Sequence, residues 1–327
     1  MTLPLPTLRQ LEYIVAVAEE GHFGRAARRC GVSQPALSKQ IQEAEAQLEV
    51  ILFERARPRV LVTPSGAPLV AQARRILMEA TELVRIAQDQ QGEVGGRLVL
   101  GAIPTIAPYL LPGLVAALRR TYPRLTCTLE EHRTDDLLVE LRQGRVELGL
   151  LALPLPDEGL DGVDVMEEPF VVVAPLGHPL AQEKPITRDE LRDSHLLLME
   201  EGHCFRDQAL EVCATAGAVP NAELKAASLS TLIRLAENGL GATLIPWGAL
   251  TQEIQPHSGL VVRSFTTTPP KRQLGFRWRA SSPRVNTFLR VSRLLEEVIA
   301  DTPLNLPIPI WGPTPTLSPS PSSEVHP

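Results

Sequence analysis

Leu8, Leu11, Ile14, Val15 and Ala18 recur at three- and four-residue intervals behind Thr7 and Gln10, and Gly21 follows. This spacing predicts an amphipathic helix opened by a capping box and closed at the glycine. A second short helix is predicted over residues 23–30, broken at Gly31. Ser33 then caps a third, with Pro35 in its first turn and Leu37, Ile41, Ala44 and Leu48 on one face. Ala26, Ala27, Cys30, Val32 and Leu37 are apolar where the second and third helices must meet, which describes a helix-turn-helix. Residues 52–55 and 60–63 read as two short strands around Pro58, a wing. The run Thr63-Pro64-Ser65-Gly66 opens a long helix to about residue 91. Its apolar rows repeat every seven residues, as in Leu69, Ile76, Leu83 and Val70, Leu77, Val84, with Ala73, Ala80 and Ala87 between them. Small residues in such a row suit close helix–helix packing in a dimer, with packing on its own domain as the alternative. Gly92, Gly95 and Gly96 mark a linker.

Beyond the linker the periodicity alternates. Strands are predicted over 97–103, 125–130 and 146–153, with helices over 112–122 and 134–143 between them, a βαβα pattern that implies a mostly parallel sheet covered by helices. Strands over 170–174, 195–199, 224–227 and 243–245, with a helix over 230–237, supply a second lobe. Two such lobes leave a cleft at strand ends and helix N-termini, where small ligands bind. Phe205, Ala209, Val212 and Ala216 lie on one helical face that stops at Gly217, which puts Cys204 at a helix N-terminus.

Length and composition leave this picture intact. The chain has 327 residues, 44% hydrophobic and 21% charged, ordinary values for a folded protein of about two domains. No apolar run approaches the roughly 18–20 residues of a membrane helix, and the first residues lack a basic segment followed by an apolar core; a soluble cytoplasmic protein with no membrane partner is expected. No phosphate-binding loop, dinucleotide fingerprint or zinc-type cysteine cluster occurs, so neither cofactor nor metal is expected. The tail over 302–327 is rich in proline and is expected to be disordered.

Charge changes the picture more. The net charge of −6 is unfavourable for nucleic acid, but residues 1–90 carry +1 and the remainder −7. Between His22 and Gln42, Arg25, Arg28, Arg29 and Lys39 stand without a single acid. With Leu37 and Ile41 inward, the third helix turns Pro35, Ser38, Lys39 and Gln42 outward, with Ser33 and Gln34 at its start. These are candidates for base edges in double-stranded DNA. Arg25, Arg28 and Arg29, with Arg55, Arg57 and Arg59 of the wing, are candidates for phosphates.

Four cysteines, Cys30, Cys127, Cys204 and Cys213, are too few for a disulfide scaffold. Cys30 and Cys127 read as packing residues. At a helix N-terminus the dipole favours a Cys204 thiolate, with His203 and Arg206 adjacent, and the thiolate is the form that peroxide attacks. The alternative is a buried, inert thiol. Cys213 lies nine residues on, about 13.5 Å along a helix and on nearly the opposite side, whereas bridged cysteines need Cα atoms within roughly 7 Å. Pairing of the two would require the segment to unwind first.

The run FGRAARRCGVSQPALSKQIQEAEAQLEVILFER followed by TPSG resembles the LysR-type transcriptional regulators. The resemblance implies an α/β chain in four parts: a winged helix-turn-helix DNA-binding domain over 1–64, a dimerising linker helix and hinge over 65–94, a two-lobed periplasmic-binding-protein-like sensing domain over 95–301, and the tail. EEGHCFRDQALEVC, GAIPTIAPYLLP and LEYIVAVAEEGHFGRAA are similar to the peroxide-sensing branch of that family. That similarity implies a regulator responding to hydrogen peroxide, with Cys204 as the reacting cysteine and Cys213 as its resolving partner. It further implies that Thr105, Thr134, His203, Arg206, Asp207 and Arg279 line or support a peroxide pocket, and that the chain forms a homodimer or homotetramer acting with RNA polymerase. A regulator that binds a small metabolite between the lobes is the alternative.

Overall fold

The computed structural model describes residues 5–54, 60–89, 94–156, 159–255, 257–266, 268–301 and 310–311. The chain divides into two compact units, 1–93 and 94–327.

In the first unit, α1 (Leu8–Glu20) opens with the capping box of Thr7 and Gln10 and closes on Gly21 at φ 56°. Next come α2 (Phe23–Arg29), capped by His22, and α3 (Gln34–Leu48), capped by Ser33. Leu37, Ile41 and Ala44 are fully buried against α1 and α2. The wing is β1 (Phe53–Glu54) paired antiparallel with β2 (Leu61–Val62). Then α4 (Gly66–Asp89) begins at the Thr-Pro-Ser-Gly run. Thr63 organises that entry: its hydroxyl donates to the Ile51 carbonyl at 2.7 Å and accepts from the Gly66 N–H at 2.9 Å. A Cβ on Gly66 would sit 2.6 Å from the Leu52 carbonyl oxygen, so only glycine lets helix and wing approach this closely.

The second unit begins with β3 (Gly96–Ala102), α5 (Ala107–Thr121), β4 (Leu125–Glu131), α6 (Thr134–Arg142) and β5 (Leu148–Leu153). Strand β3 runs parallel to both β4 and β5, as the pattern predicts. Helix α5 starts five residues earlier than the pattern suggests and contains Pro112. Proline has no N–H to offer its preceding turn, so the residue reads as a helix start although the helix runs through it.

The chain then crosses into a second lobe along β6 (Leu160–Pro175). There β7 (His195–Met199), α7 (Cys204–Ala216), β8 (Val219–Ala226), α8 (Leu229–Glu237), β9 (Ala242–Pro246), α9 (Leu250–Glu253) and β10 (Leu260–Arg263) follow. It returns along β11 (Lys271–Arg279) into α10 (Val285–Asp301). The strand path is β4-β3-β5-β11-β6-β9-β7-β8, with β10 on the flank of β6. Each lobe is thus a parallel trio closed by an antiparallel strand: β11 runs antiparallel to β5 and β6, and β6 to β9. The mostly parallel sheet read from the sequence is corrected to this extent. Each lobe has its own apolar core.

Two buried arginines tie these parts. Arg284 pairs with Glu147 at 2.9 Å and donates to the carbonyls of Arg97 and Gly95, fixing the start of the sensing unit. Arg272 of β11 pairs with Glu168 of β6 at 2.7 Å, both side chains at most 5% exposed. Its two Nη groups donate to the hydroxyl and the carbonyl of Thr105, each at 2.9 Å, while Glu168 accepts the Gly248 N–H at 2.9 Å. The guanidinium carbon stands 5.7 Å from the ring centre of Phe205, which packs edge-on against Phe170. One side chain therefore joins the β3–α5 loop of the first lobe to α7 of the second.

Ile310 and Trp311 form β12, paired parallel with Val262 and Arg263 of β10. The expectation of disorder is corrected for these two residues; the rest of the tail lies outside the described residues. No described helix is long and apolar enough to cross a membrane.

Gly66→Ala is expected to lower the stability of the first unit by about 1–3 kcal/mol through overpacking, read as a lower urea midpoint of the full chain. Helix propensity alone predicts the opposite sign, a gain of up to about 1 kcal/mol, so the direction of the shift decides. Arg272→Met leaves the Glu168 carboxylate buried and unpaired, and a loss of about 3–5 kcal/mol in thermal or urea unfolding is expected. Arg272→Met/Glu168→Leu should recover most of it.

Candidate functional site

The recognition face of α3 is largely solvent-facing. Ser33, Gln34, Pro35, Lys39 and Gln42 are exposed and Ser38 is half-buried. The Ser33 hydroxyl is already engaged, accepting from the Ala36 N–H at 3.4 Å as the helix cap. Lys39 lies 3.8 Å from Glu43, one turn away on the same helix.

The arginines of α2 are not the free cations that the local sequence suggests. Arg29 pairs with Glu19 at 2.6 Å and Arg25 with Glu20 at 3.2 Å, so the end of α1 supplies the acids missing from residues 22–42. Arg28 donates to the Gly24 carbonyl at 3.4 Å. These pairs are about half exposed on the arginine side and can exchange their carboxylates for phosphates at small cost. Arg55, Arg57 and Arg59 lie outside the described residues.

In the second unit, Gly202 at φ 89° turns the chain so that His203 becomes the N-terminal flanking residue of α7 and Cys204 its first residue. His203 makes no side-chain cap; it is 5% exposed, and its Nε2 has no hydrogen-bond partner within the protein. Burial lowers its pKa and the nearby Arg133 cation lowers it further, so the ring stays neutral at physiological pH. The Thr134 hydroxyl is likewise buried without a partner. Both line a narrow crevice with Thr105, Arg133, Gly202 and Cys204. Two unsatisfied polar atoms flank a half-buried thiol there, but as it stands the crevice has no room for even a water-sized molecule, so a small hydrogen-bonding molecule enters only when it opens. The crevice adjoins a cleft of about 640 Å³ bordered by Cys204, Asp135, Asp207, Lys271 and Arg272.

Cys204 packs against the first-lobe core, whereas Cys213 is 1% exposed inside the second-lobe core. Both are free thiols on one continuous α7. The helix geometry keeps their backbones about 13.5 Å apart. Burial pushes the Cys213 thiol pKa up, so it is the less nucleophilic form while the helix is intact.

The structure thus brings Thr105, Thr134 and His203 to Cys204, and sets Asp207 on the wall of the adjoining cleft. Arg206 points elsewhere: its Nη1 donates to the Met199 carbonyl at 3.0 Å, bracing the end of β7. Arg279 is a correction. It ends β11 opposite Leu160, seven residues from Arg272 and so about 24 Å along the strand, and it borders neither the crevice nor the cleft. Arg272 occupies the position expected of Arg279, and its signal was present in the alternation of buried Arg272, Leu274, Phe276 and Trp278. Cys30 and Cys127 are half-buried against their local cores, as packing residues.

Comparison with known proteins follows the same division. Residues 8–67 match the bacterial regulatory helix-turn-helix protein of the lysR family, and residues 91–299 match the LysR substrate binding domain. A probable hydrogen peroxide-inducible genes activator of Streptomyces viridosporus is 40% identical over 92% of this chain and 97% of its own. The DNA-binding transcriptional dual regulator OxyR of Escherichia coli K12 is 40% identical over 84% and 90%. Among solved structures, a full-length OxyR variant from Pseudomonas aeruginosa covers 98% of this chain and 99% of its own with a TM-score of 0.76 at 34% identity. A hydrogen-peroxide-bound OxyR mutant from Corynebacterium glutamicum covers 92% and 94% with a TM-score of 0.64 at 33% identity. With a reading head and a two-lobed sensor both matched, the chain belongs to the LysR family of bacterial helix-turn-helix regulators.

Proposed function

We propose that this chain is a DNA-binding transcriptional regulator that responds to hydrogen peroxide through Cys204. The observation that carries the reading is the crevice: a thiol at the first residue of α7, flanked by the unpartnered His203 Nε2 and Thr134 hydroxyl. In the first step the Cys204 thiolate attacks one peroxide oxygen, the O–O bond breaks, and Cys204 becomes a sulfenic acid while the departing hydroxide takes a proton to form water. Neutral His203 and the Thr134 hydroxyl can hold the peroxide by hydrogen bonds. In the second step the Cys213 sulfur attacks the Cys204 sulfur, the S–O bond breaks, a disulfide forms and a second water leaves. Cys213 can reach that sulfur only after the first turns of α7 unwind, so oxidation is coupled to refolding. Peroxide is consumed as a signal, one equivalent per switch, rather than turned over as by an enzyme.

Operator DNA is read by α3 in the major groove, with Lys39 and Gln42 at base edges or phosphates and the α2 arginines alongside. Along α4, Leu69 packs on the head's own core, while Ile76 and Leu83 of the same row are 40% and 72% exposed, which supports a homodimer through the later turns of this helix. Assembly to a tetramer, contact with RNA polymerase and a cytoplasmic location complete the proposal. The reading head spans 1–64, the dimerising helix and hinge 65–94, and the sensor 95–301. The 640 Å³ cleft, bordered by Arg188, Lys271 and Arg272 and equally by Asp135, Asp207 and Glu211, supports a second reading in which a small metabolite binds between the lobes. A peroxide titration separates the two readings, because the metabolite reading predicts no fast-reacting Cys204.

In full-length protein briefly exposed to peroxide with dimedone present, the label is expected on Cys204 and not on Cys213, read by peptide mass spectrometry. The DNase footprint on a site selected from genomic fragments should change when the wild type is oxidised and stay unchanged in Cys204→Ser; an identical footprint before and after oxidation of the wild type overturns the switch. For the reading head, Gln42→Ala is expected to weaken specific binding by about 1–3 kcal/mol. Lys39→Ala should reduce the slope of log K against log salt by about 1, measured by fluorescence anisotropy.

A further inference from the structure

The segment that presents Cys204 is a loop of four residues, 200–203, between the end of β7 and the start of α7. Arg133, which precedes α6 in the first lobe, reaches across to it. Its guanidinium pairs with the Glu200 carboxylate and donates to the Glu201 carbonyl at 3.3 Å. A Cβ on Gly202 would stand 3.0 Å from the same guanidinium, so Arg133 runs along three successive loop residues. From the second lobe, Lys225 of β8 holds the Glu201 carboxylate at 3.4 Å. The loop is therefore gripped by a cation from each lobe.

These grips bear on the step that closes the disulfide. Bridged cysteines need Cα atoms within roughly 7 Å. Drawing Cys204 to Cys213 means unwinding the first turns of α7 and carrying residues 200–203 away from the first lobe. The Arg133–Glu200 pair belongs to the reduced arrangement and must break.

We propose that Arg133 is a clasp between the lobes that holds the 200–203 loop in its reduced arrangement and so sets how readily the Cys204–Cys213 disulfide forms. The clasp rests on the peroxide reading above and deepens it. Arg133 is a positioning residue: it acts through the loop. Because its bonds stabilise the dithiol, removing them favours the disulfide. The side chains of Arg133 and Glu200 are 43% and 38% exposed, which limits the effect to about three- to fivefold in the thiol–disulfide equilibrium.

The test uses the full chain in glutathione buffers of varied ratio at fixed pH, where two glutathione thiols reduce the protein disulfide and leave as oxidised glutathione. The Cys204–Cys213 fraction is read by peptide mass spectrometry. Arg133→Gln and Glu200→Gln are each expected to make the midpoint more negative by about 14–21 mV, that same fold-change at about 30 mV per decade. The double variant should shift no further than either single one. Arg133→Lys should recover part of the shift, since an ammonium can face Glu200 but lacks the second arm for the Glu201 carbonyl. Arg142→Gln, at the far end of α6, should match the wild type. A wild-type midpoint in Arg133→Gln, or additive shifts in the double variant, overturns the clasp and leaves the peroxide reading standing. A wild type that forms no Cys204–Cys213 disulfide overturns that reading, and the clasp with it.

Discussion

A guanidinium buried at the joint of two lobes must be partnered, and Arg272 draws its partners from three separate parts of the chain. Thr105 comes from the loop after β3, Glu168 from β6, and the ring of Phe205 from α7. Neither Glu168 nor Thr105 can withdraw without leaving a nearly buried charge short of a partner. The wall of the crevice, the strand that crosses between lobes and the helix that begins with Cys204 are thereby held in register. The rigidity is selective. Phe205 is anchored while Cys204, one residue earlier, lies at the helix end, where the first N–H groups have no intrahelical partners. A firm anchor beside a loosely bonded terminus is a good arrangement for a segment that has to open from one end.

Where the fold was legible in the sequence, the determinants were local. The Thr7–Gln10 box, the cap at Ser33, and the stops at Gly21 and Gly217 each sit within four residues of what they control, and the structure uses all of them. The parallel strands β3, β5, β7 and β9 were legible as short apolar runs because they are covered on both faces. Strands β6 and β11 were not, or only in part. The burial of β11 alternates and that of the first half of β6 is mixed, and some of the buried positions are taken by Glu168 and Arg272, residues that read as surface until their partners a hundred positions away are known.

The same reason separates the expected residues that lie beside Cys204 from the one that does not. Thr105, Thr134 and His203 stand in motifs whose neighbours fix them, and they meet at Cys204. The resemblance implies Arg279, but it is Arg272 that shares a strand face with Leu274, Phe276 and Trp278 and reaches Thr105. The α2 arginines show the complementary limit: a stretch without acids is still neutralised when the preceding helix ends in Glu19 and Glu20.

The pairing of Ile310 and Trp311 with β10 has a bearing on how these molecules behave when crowded. A flank of sheet with open N–H and C=O groups is a template on which another chain can add a strand, the first step of unwanted polymerisation. Here two residues of the chain's own tail occupy that flank. Pro309 and Pro313 bracket them in the sequence, and proline cannot donate to a ladder. The tail thus acts as a short selvedge that finishes the sheet edge and, by its composition, gives an incoming strand little to continue from.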